Sequence, residues 1–470
     1  MKNKIISILA LLFLFLSAKA NVRLPKILAS NMVLQQQSTT KLWGWSSPAE
    51  KIKITTSWDK KTIEVIATGN ANWQVNIQTP EAGGPYTITF EGNNKIVLEN
   101  ILVGEVWVCS GQSNMEWSYN NGVKSIAEEF QQLSKLNIRL FNIPKTTSAS
   151  VQDDCDANWV VCDSNTIKSF SAVGFYFGKK LSQNLNVPIG LVNSNWGGTP
   201  AEVWTPTDVV EQNDTLKTAS AKVEPYPWWP NLPGLTYNAM IAPITNFTIA
   251  GTIWYQGESN RNQPDSYTTL MNKMIASWRK AWNKDFPFYY VQIAPFKYDG
   301  QNTGALLREA QTKTLSQKNV GMVVISDLVN DLANIHPTNK RDVGFRLANL
   351  ALAETYKLKL MGYKSPIFKA AEVKKDKMMV SFEHAEIGLA IDDKRSNTLF
   401  IAGNDHIFYI AEAKIEKDKL VVWSKDVKAP VAVRYQFSDD AIGNLVNKAG
   451  LPVGPFRTDN WPVDTSAVKK

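Results

Sequence analysis

Between residues 22 and about 100, apolar and polar residues alternate in short runs. Lys51-Ile52-Lys53-Ile54-Thr55 and Tyr86-Thr87-Ile88-Thr89-Phe90 keep a period of two, separated by turn formers such as Gly83-Gly84-Pro85 and Gly92-Asn93-Asn94. A period of two places one face of a strand on a core and the other in water. Several such strands with no helical period predict a β-sandwich over 21–100.

At residue 101 the pattern changes. Apolar runs at 105–109, 189–192, 252–255, 288–293 and 322–325 alternate with segments of helical period at 172–185, 267–282 and 343–356. Continuously apolar strands alternating with helices predict an α/β domain over 101–360, with a parallel sheet covered by helices on both faces. Ligands of such sheets sit at the carboxyl ends of the strands. The stretch 205–234 breaks the rhythm with Pro206, Pro225, Pro227, Pro230, Pro233 and the pair Trp228-Trp229, and reads as an irregular surface excursion overhanging the site. Beyond 360 the alternation returns at 377–382, 398–401, 419–423 and 431–435, a second β-rich region over 361–470.

Residues 1–20 bear on location. Lys2 and Lys4 precede an apolar run at 5–16, and Ala18-Lys19-Ala20 offers small residues for cleavage. This is the pattern of a secretory leader, and the run is too short for a membrane-spanning helix of about 20 residues. The chain is therefore expected to be secreted or periplasmic, with no membrane anchor once the leader is removed. The formal charge of +8 falls to +5 when Lys2, Lys4 and Lys19 go with it. No cluster of Lys and Arg stands out, so the electrostatic footprint of a nucleic-acid partner is missing. Sixteen Trp and 44% hydrophobic residues exclude a disordered chain. Of three cysteines, Cys155 and Cys162 are close enough in sequence for a small-loop disulfide, whereas Cys109 follows an apolar run and reads as a buried thiol.

The chemistry centres on Gly104-Glu105-Val106-Trp107-Val108-Cys109-Ser110-Gly111-Gln112-Ser113-Asn114-Met115-Glu116-Trp117, a buried strand ending in a glycine turn. Ser113, just past that turn, stands where backbone N–H groups can stabilise an oxyanion and an imidazole can take its proton. A helix-capping serine is the plainer reading of the same position. Only His336, His384 and His406 are available as the base. His336 lies in Asn334-Ile335-His336-Pro337, again after a predicted strand, while the other two fall in the β-rich tail. Three histidines so far apart make no zinc site, and no phosphate-binding glycine loop is present.

Four blocks then carry a resemblance. Gly111-Gln112-Ser113-Asn114-Met115, Asn195-Trp196-Gly197-Gly198-Thr199, Trp254-Tyr255-Gln256-Gly257-Glu258-Ser259-Asn260 and Ile335-His336-Pro337, in that order, resemble the sialate O-acetylesterase family of SGNH-type hydrolases. Flanking segments (Phe170-Ser171-Ala172-Val173-Gly174, Leu307-Arg308-Glu309-Ala310-Gln311 and Phe456-Arg457-Thr458-Asp459) extend it over the mature chain. The resemblance implies a flavodoxin-like hydrolase domain flanked by β-rich regions, and an esterase that removes acetyl groups from sugar hydroxyls without metal or cofactor. It makes Ser113 the nucleophile and His336 the general base. The oxyanion would be held by the N–H of Ser113, by that of Gly198 in preference to Gly197, and by a side chain of the third block, Gln256 in preference to Asn260. Glu258 reads as a buried structural carboxylate. The chain departs from the pattern at the acid. Ala333 and Asn334 stand where relatives place an Asp, leaving Asp331, in preference to Asp327, to orient His336; if neither reaches, a backbone carbonyl or Asn334 orients it in a weaker dyad.

For the sugar, Trp196, Trp204, Trp228 and Trp229 offer flat apolar faces. Arg261 offers a guanidinium fork for a sialic carboxylate, although it stands near Asp265. Acetylated plant glycans fit the same blocks. The rival reading is a non-catalytic carbohydrate-binding protein with a decayed centre; a lipase or peptidase lacks any large apolar acyl pocket in the sequence.

Overall fold

The computed structural model describes residues 21–465, so the expected leader lies outside the described residues. Within them the chain is a mixed α/β structure. Six short strands open it: β1 (Val33–Gln35), β2 (Thr39–Trp45), β3 (Lys51–Thr56), β4 (Thr62–Ile66), β5 (Asn72–Gln78) and β6 (Gly83–Glu91). The β2–β5 ribbon packs on the sheet containing β3, β4 and β6, with Trp73 against Phe90 at 5.7 Å.

Next comes β7 (Lys95–Gly111), seventeen residues long. Its first half pairs with β6 antiparallel, and its second half lies between two parallel neighbours. The change of period at 101 is thus a change of sheet partner inside one strand, not a break in the chain.

The central sheet adds β8 (Ile138–Asn142), β9 (Trp159–Val161), β10 (Ile189–Asn195), β11 (Gly251–Tyr255), β12 (Phe288–Val291) and β13 (Val320–Val323). Its order is β13-β12-β11-β7-β10-β8-β9, parallel except for the β8–β9 pair. Along β7 the side chains alternate between two cores. Val106 and Val108 pack with the helices Pro264–Trp282 and Thr303–Lys313, and Trp107 and Cys109 pack with the helices Ala172–Leu185 and Lys340–Glu354. Burial on both faces is why the strand reads as an unbroken apolar run.

Two expectations need correction. The excursion at 205–234 begins with two short helices, Thr207–Glu211 and Asp214–Ser220. Pro206 sits just ahead of the first, where its missing N–H costs nothing, and the Asn213 side chain caps the second by accepting from Leu216 N. Cys155 and Cys162 are free thiols, because one packs into the core on one side of the sheet and the other into the core on the opposite side. After residue 360, short antiparallel strands between Ile367 and Arg457 enclose a third core. Among the described residues no helix is long and apolar enough to cross a membrane.

Candidate active site

Three of the four blocks meet because three parallel strands end together: Asn195 of β10 and Tyr255 of β11 both stand opposite Gly111. Gly111 has φ of 138°, and a Cβ there would lie 2.2 Å from the Tyr255 carbonyl oxygen, so only glycine lets β7 turn so close to its neighbour. Gln112 N donates to that carbonyl at 3.0 Å, and the chain then enters the four-residue helix Ser113–Glu116. Ser113 is half-buried at its start.

The histidine arrives on the loop after β13. His336 Nε2 lies 2.9 Å from Ser113 Oγ. The His336 backbone N–H donates to Asn334 Oδ1 at 2.9 Å, and Asn114 Nδ2 holds the Ile335 carbonyl at 3.0 Å. Trp117 stacks on the ring, 4.4 Å between centroids and 19° between planes. Burial, with the Lys340 ammonium as a second cause, pushes the imidazole down to about 4. It is therefore unprotonated at neutral pH, as a proton acceptor must be. His384 and His406 lie in the C-terminal region, and His406 stacks on Trp461.

The acid is where the expectation needs revision. Asp331 is exposed and accepts from the Ala333 N–H at 2.8 Å. Asp327 is gripped by both terminal nitrogens of Arg346, at 2.7 and 2.5 Å. Neither bonds the His336 ring. Asp331 is drawn into its own turn, and Asp327 is committed to a nearly dry ion pair.

The side-chain donor of the third block also needs revision. Gln256 is wholly buried, and its amide nitrogen donates to Asn260 Oδ1 at 2.7 Å and to the Thr199 carbonyl at 3.3 Å. Asn260 accepts from Ala201 N and donates to Glu202 Oε2. Both amides therefore face inward, tying the third block to the second. Gln112 was not singled out from sequence. Its Oε1 accepts from the N–H groups of Gly257 and Ser259, and its Nε2 makes no hydrogen bond among the described residues. Glu116 was missed as well. Its Oε2 takes the Gly197 N–H at 2.5 Å, while its Oε1 pairs with Lys145. Gly197 thereby rests against Ser113, a Cβ on it falling 3.3 Å from Ser113 Cβ. The N–H groups of Ser113 and Gly198 make no backbone or side-chain hydrogen bond among the described residues.

Of the aromatic candidates, Trp204 is core: fully buried, with its Nε1 donating to Thr199 Oγ1 at 2.9 Å. Trp228 is 70% exposed, and its carbonyl accepts from Trp196 Nε1. Trp229 stacks on Tyr226 at 4.1 Å and covers Gly198 so closely that a Cβ there would fall 2.2 Å from its ring. Arg261 forms no ion pair with Asp265; it lies over the Tyr298 ring at 4.8 Å.

A serine hydroxyl in contact with an unprotonated imidazole, at the carboxyl edge of a parallel sheet, is an arrangement that serine-dependent hydrolases use. Residues 103–353 match the family model described as carbohydrate esterase, sialic acid-specific acetylesterase, and the chain belongs to that family, an esterase family. A crystal structure of a carbohydrate acetylesterase from Xanthomonas citri superposes with a TM-score of 0.84 at 36% identity, covering 94% of this chain and all of that one. Human sialate O-acetylesterase is 28% identical over 389 residues, 75% of this chain and 74% of its own length. The mouse protein of the same name is 26% identical over 454 residues, covering 83% and 84%.

Proposed function

We propose that this protein removes acetyl groups from sugar hydroxyls through a Ser113 acyl-enzyme. The 2.9 Å contact between Ser113 Oγ and His336 Nε2 carries the reading, and the names of the matched relatives support the substrate class. His336 takes the hydroxyl proton as Ser113 Oγ attacks the acetyl carbon. The resulting oxyanion is met by the N–H groups of Ser113 and Gly198 and by Gln112 Nε2. Collapse breaks the bond to the sugar oxygen, which leaves with the proton held by His336. Water, deprotonated by the same imidazole, then releases acetate and restores the hydroxyl.

With no carboxylate on the ring, the Asn334 bond to the backbone and the Trp117 stack orient His336, so the centre works as a dyad. Trp196, Trp228 and Trp229 form the sugar-facing wall, and Arg261, without a carboxylate partner among the described residues, suits an acidic sugar. With the β8–β9 edge set aside, the strand order 2-1-3-4-5 supports a flavodoxin-like SGNH core. The same reading keeps three parts, 21–100, 101–360 and 361–470, and export by the leader at 1–20. A decayed, binding-only centre would have no reason to keep serine and imidazole in contact.

A fluorophosphonate probe labels only an activated serine. We expect labelling of the wild type and acetate release across acetylated sialic acids and acetylated plant glycans, with both lost in Ser113→Ala while the fold is kept. Acetate release that survives in Ser113→Ala sinks the reading.

A further inference from the structure

Lys340 opens the helix Lys340–Glu354, four residues after the histidine, yet it is completely buried. A lysine rarely gives up all its water, and one that does needs compensation in place. Its Nζ donates to Asn114 Oδ1 at 2.5 Å. The same amide donates through Nδ2 to Glu258 Oε1 at 2.6 Å and to the Ile335 carbonyl at 3.0 Å. The ammonium also faces two rings, Tyr255 at 5.2 Å and Trp117 at 5.8 Å. It therefore touches both supports of the base: the amide that holds the histidine loop and the ring on which the imidazole stacks.

We propose that Lys340 is a positioning residue: with Asn114 as relay and Glu258 as counter-charge, it locks the His336 loop and Trp117 onto the serine turn, in place of the carboxylate that the dyad lacks. This rests on the esterase reading above. The groups that face this cation are Glu258, Asn114, Tyr255 and Trp117, with Tyr298 beyond, close enough to act on Glu258. A positive charge opposes formation of an imidazolium, so the gain is one of placement. Removing the charge makes His336 a stronger base in a worse position, two effects of opposite sign that distinguish this role from a merely structural or merely electrostatic one.

Lys340→Met alone strands a buried carboxylate, so it is paired with the charge-neutral Lys340→Met/Glu258→Gln double variant. The imidazole is followed by NMR titration, its signal identified by loss in His336→Asn, and acetate release is followed in parallel. In the wild type the His336 midpoint should lie well below the ordinary value of about 6.5. In the double variant it should move upward while kcat falls about 10- to 100-fold, as expected of a sub-ångström to 1 Å misplacement, with KM within about twofold. A wild-type midpoint at the ordinary value, an unmoved midpoint in the double variant, or a retained kcat overturns the inference. The titration needs no turnover. A wild type that releases no acetate therefore overturns the esterase reading and this inference with it, whereas an active wild type with an unaffected double variant overturns the inference alone.

Discussion

Two buried polar clusters flank Ser113, and they differ in how completely their bonds are made. On one side, Gln256 donates to Asn260 and the Thr199 carbonyl and accepts from the Tyr267 hydroxyl, while Asn260 joins Ala201 to Glu202. Burial pushes the Glu202 carboxyl upward, and Asn260 holds it. On the other side, valences are left open: the N–H of Ser113, the N–H of Gly198 and Gln112 Nε2 are without partners among the described residues. A saturated network fixes shape, since unmaking any of its bonds leaves a dry polar group. Open donors around a nucleophile are what a developing negative charge requires. On the proposed mechanism the first cluster is scaffold and the second takes part in the chemistry.

That division separates the effects of substitution. His336→Ala, on the open side, should lower kcat for acetyl ester hydrolysis by about 10³-fold, at little cost in stability, because general-base groups contribute roughly 10²- to 10⁴-fold. Steady-state kinetics with a thermal melt reads both. Asn260→Ala, on the saturated side, should do the reverse. It strands Glu202, Gln256 and the Ala201 N–H, so urea denaturation should show a loss of about 3 kcal/mol, while kcat per folded molecule stays within about threefold. A hundredfold drop in kcat at unchanged stability would place Asn260 on the chemical side.

A smaller effect is expected in the pH profile. With the imidazole held at about 4, protonation removes the base only in acid. The fall in kcat/KM on the acid side should therefore lie near that value. An acid limb centred near 6.5 would contradict it. Smallest of all, Asp331→Asn should change kcat by less than about twofold, because an exposed carboxylate that does not touch the ring cannot orient it.

Much of this was legible in the sequence, for identifiable reasons. Period-two and unbroken apolar runs located strands because burial on one or two faces writes itself into the pattern, as at β3 and β7. The glycine turn before Ser113 could be anticipated because backbone proximity leaves no alternative there. The direction in which a buried amide points was not legible. Gln256 and Asn260 are set by Glu202 and Tyr267, which come from distant segments. Nearness in sequence misled twice. Asp331 is five residues from the histidine yet faces water, and Cys155 and Cys162 lie on opposite sides of a sheet. Lys340 gave no signal at all, since a lysine opening a helix is ordinarily exposed.

The length of β7 has a practical bearing on protein engineering. Because one strand lies between β6 and β1 in the N-terminal sheet and is the middle member of the central one, the two parts behave as a single girder rather than beads on a string. A gene fragment beginning at the change of period would cut that girder in half. Swapping front ends between relatives must therefore join them upstream of Lys95.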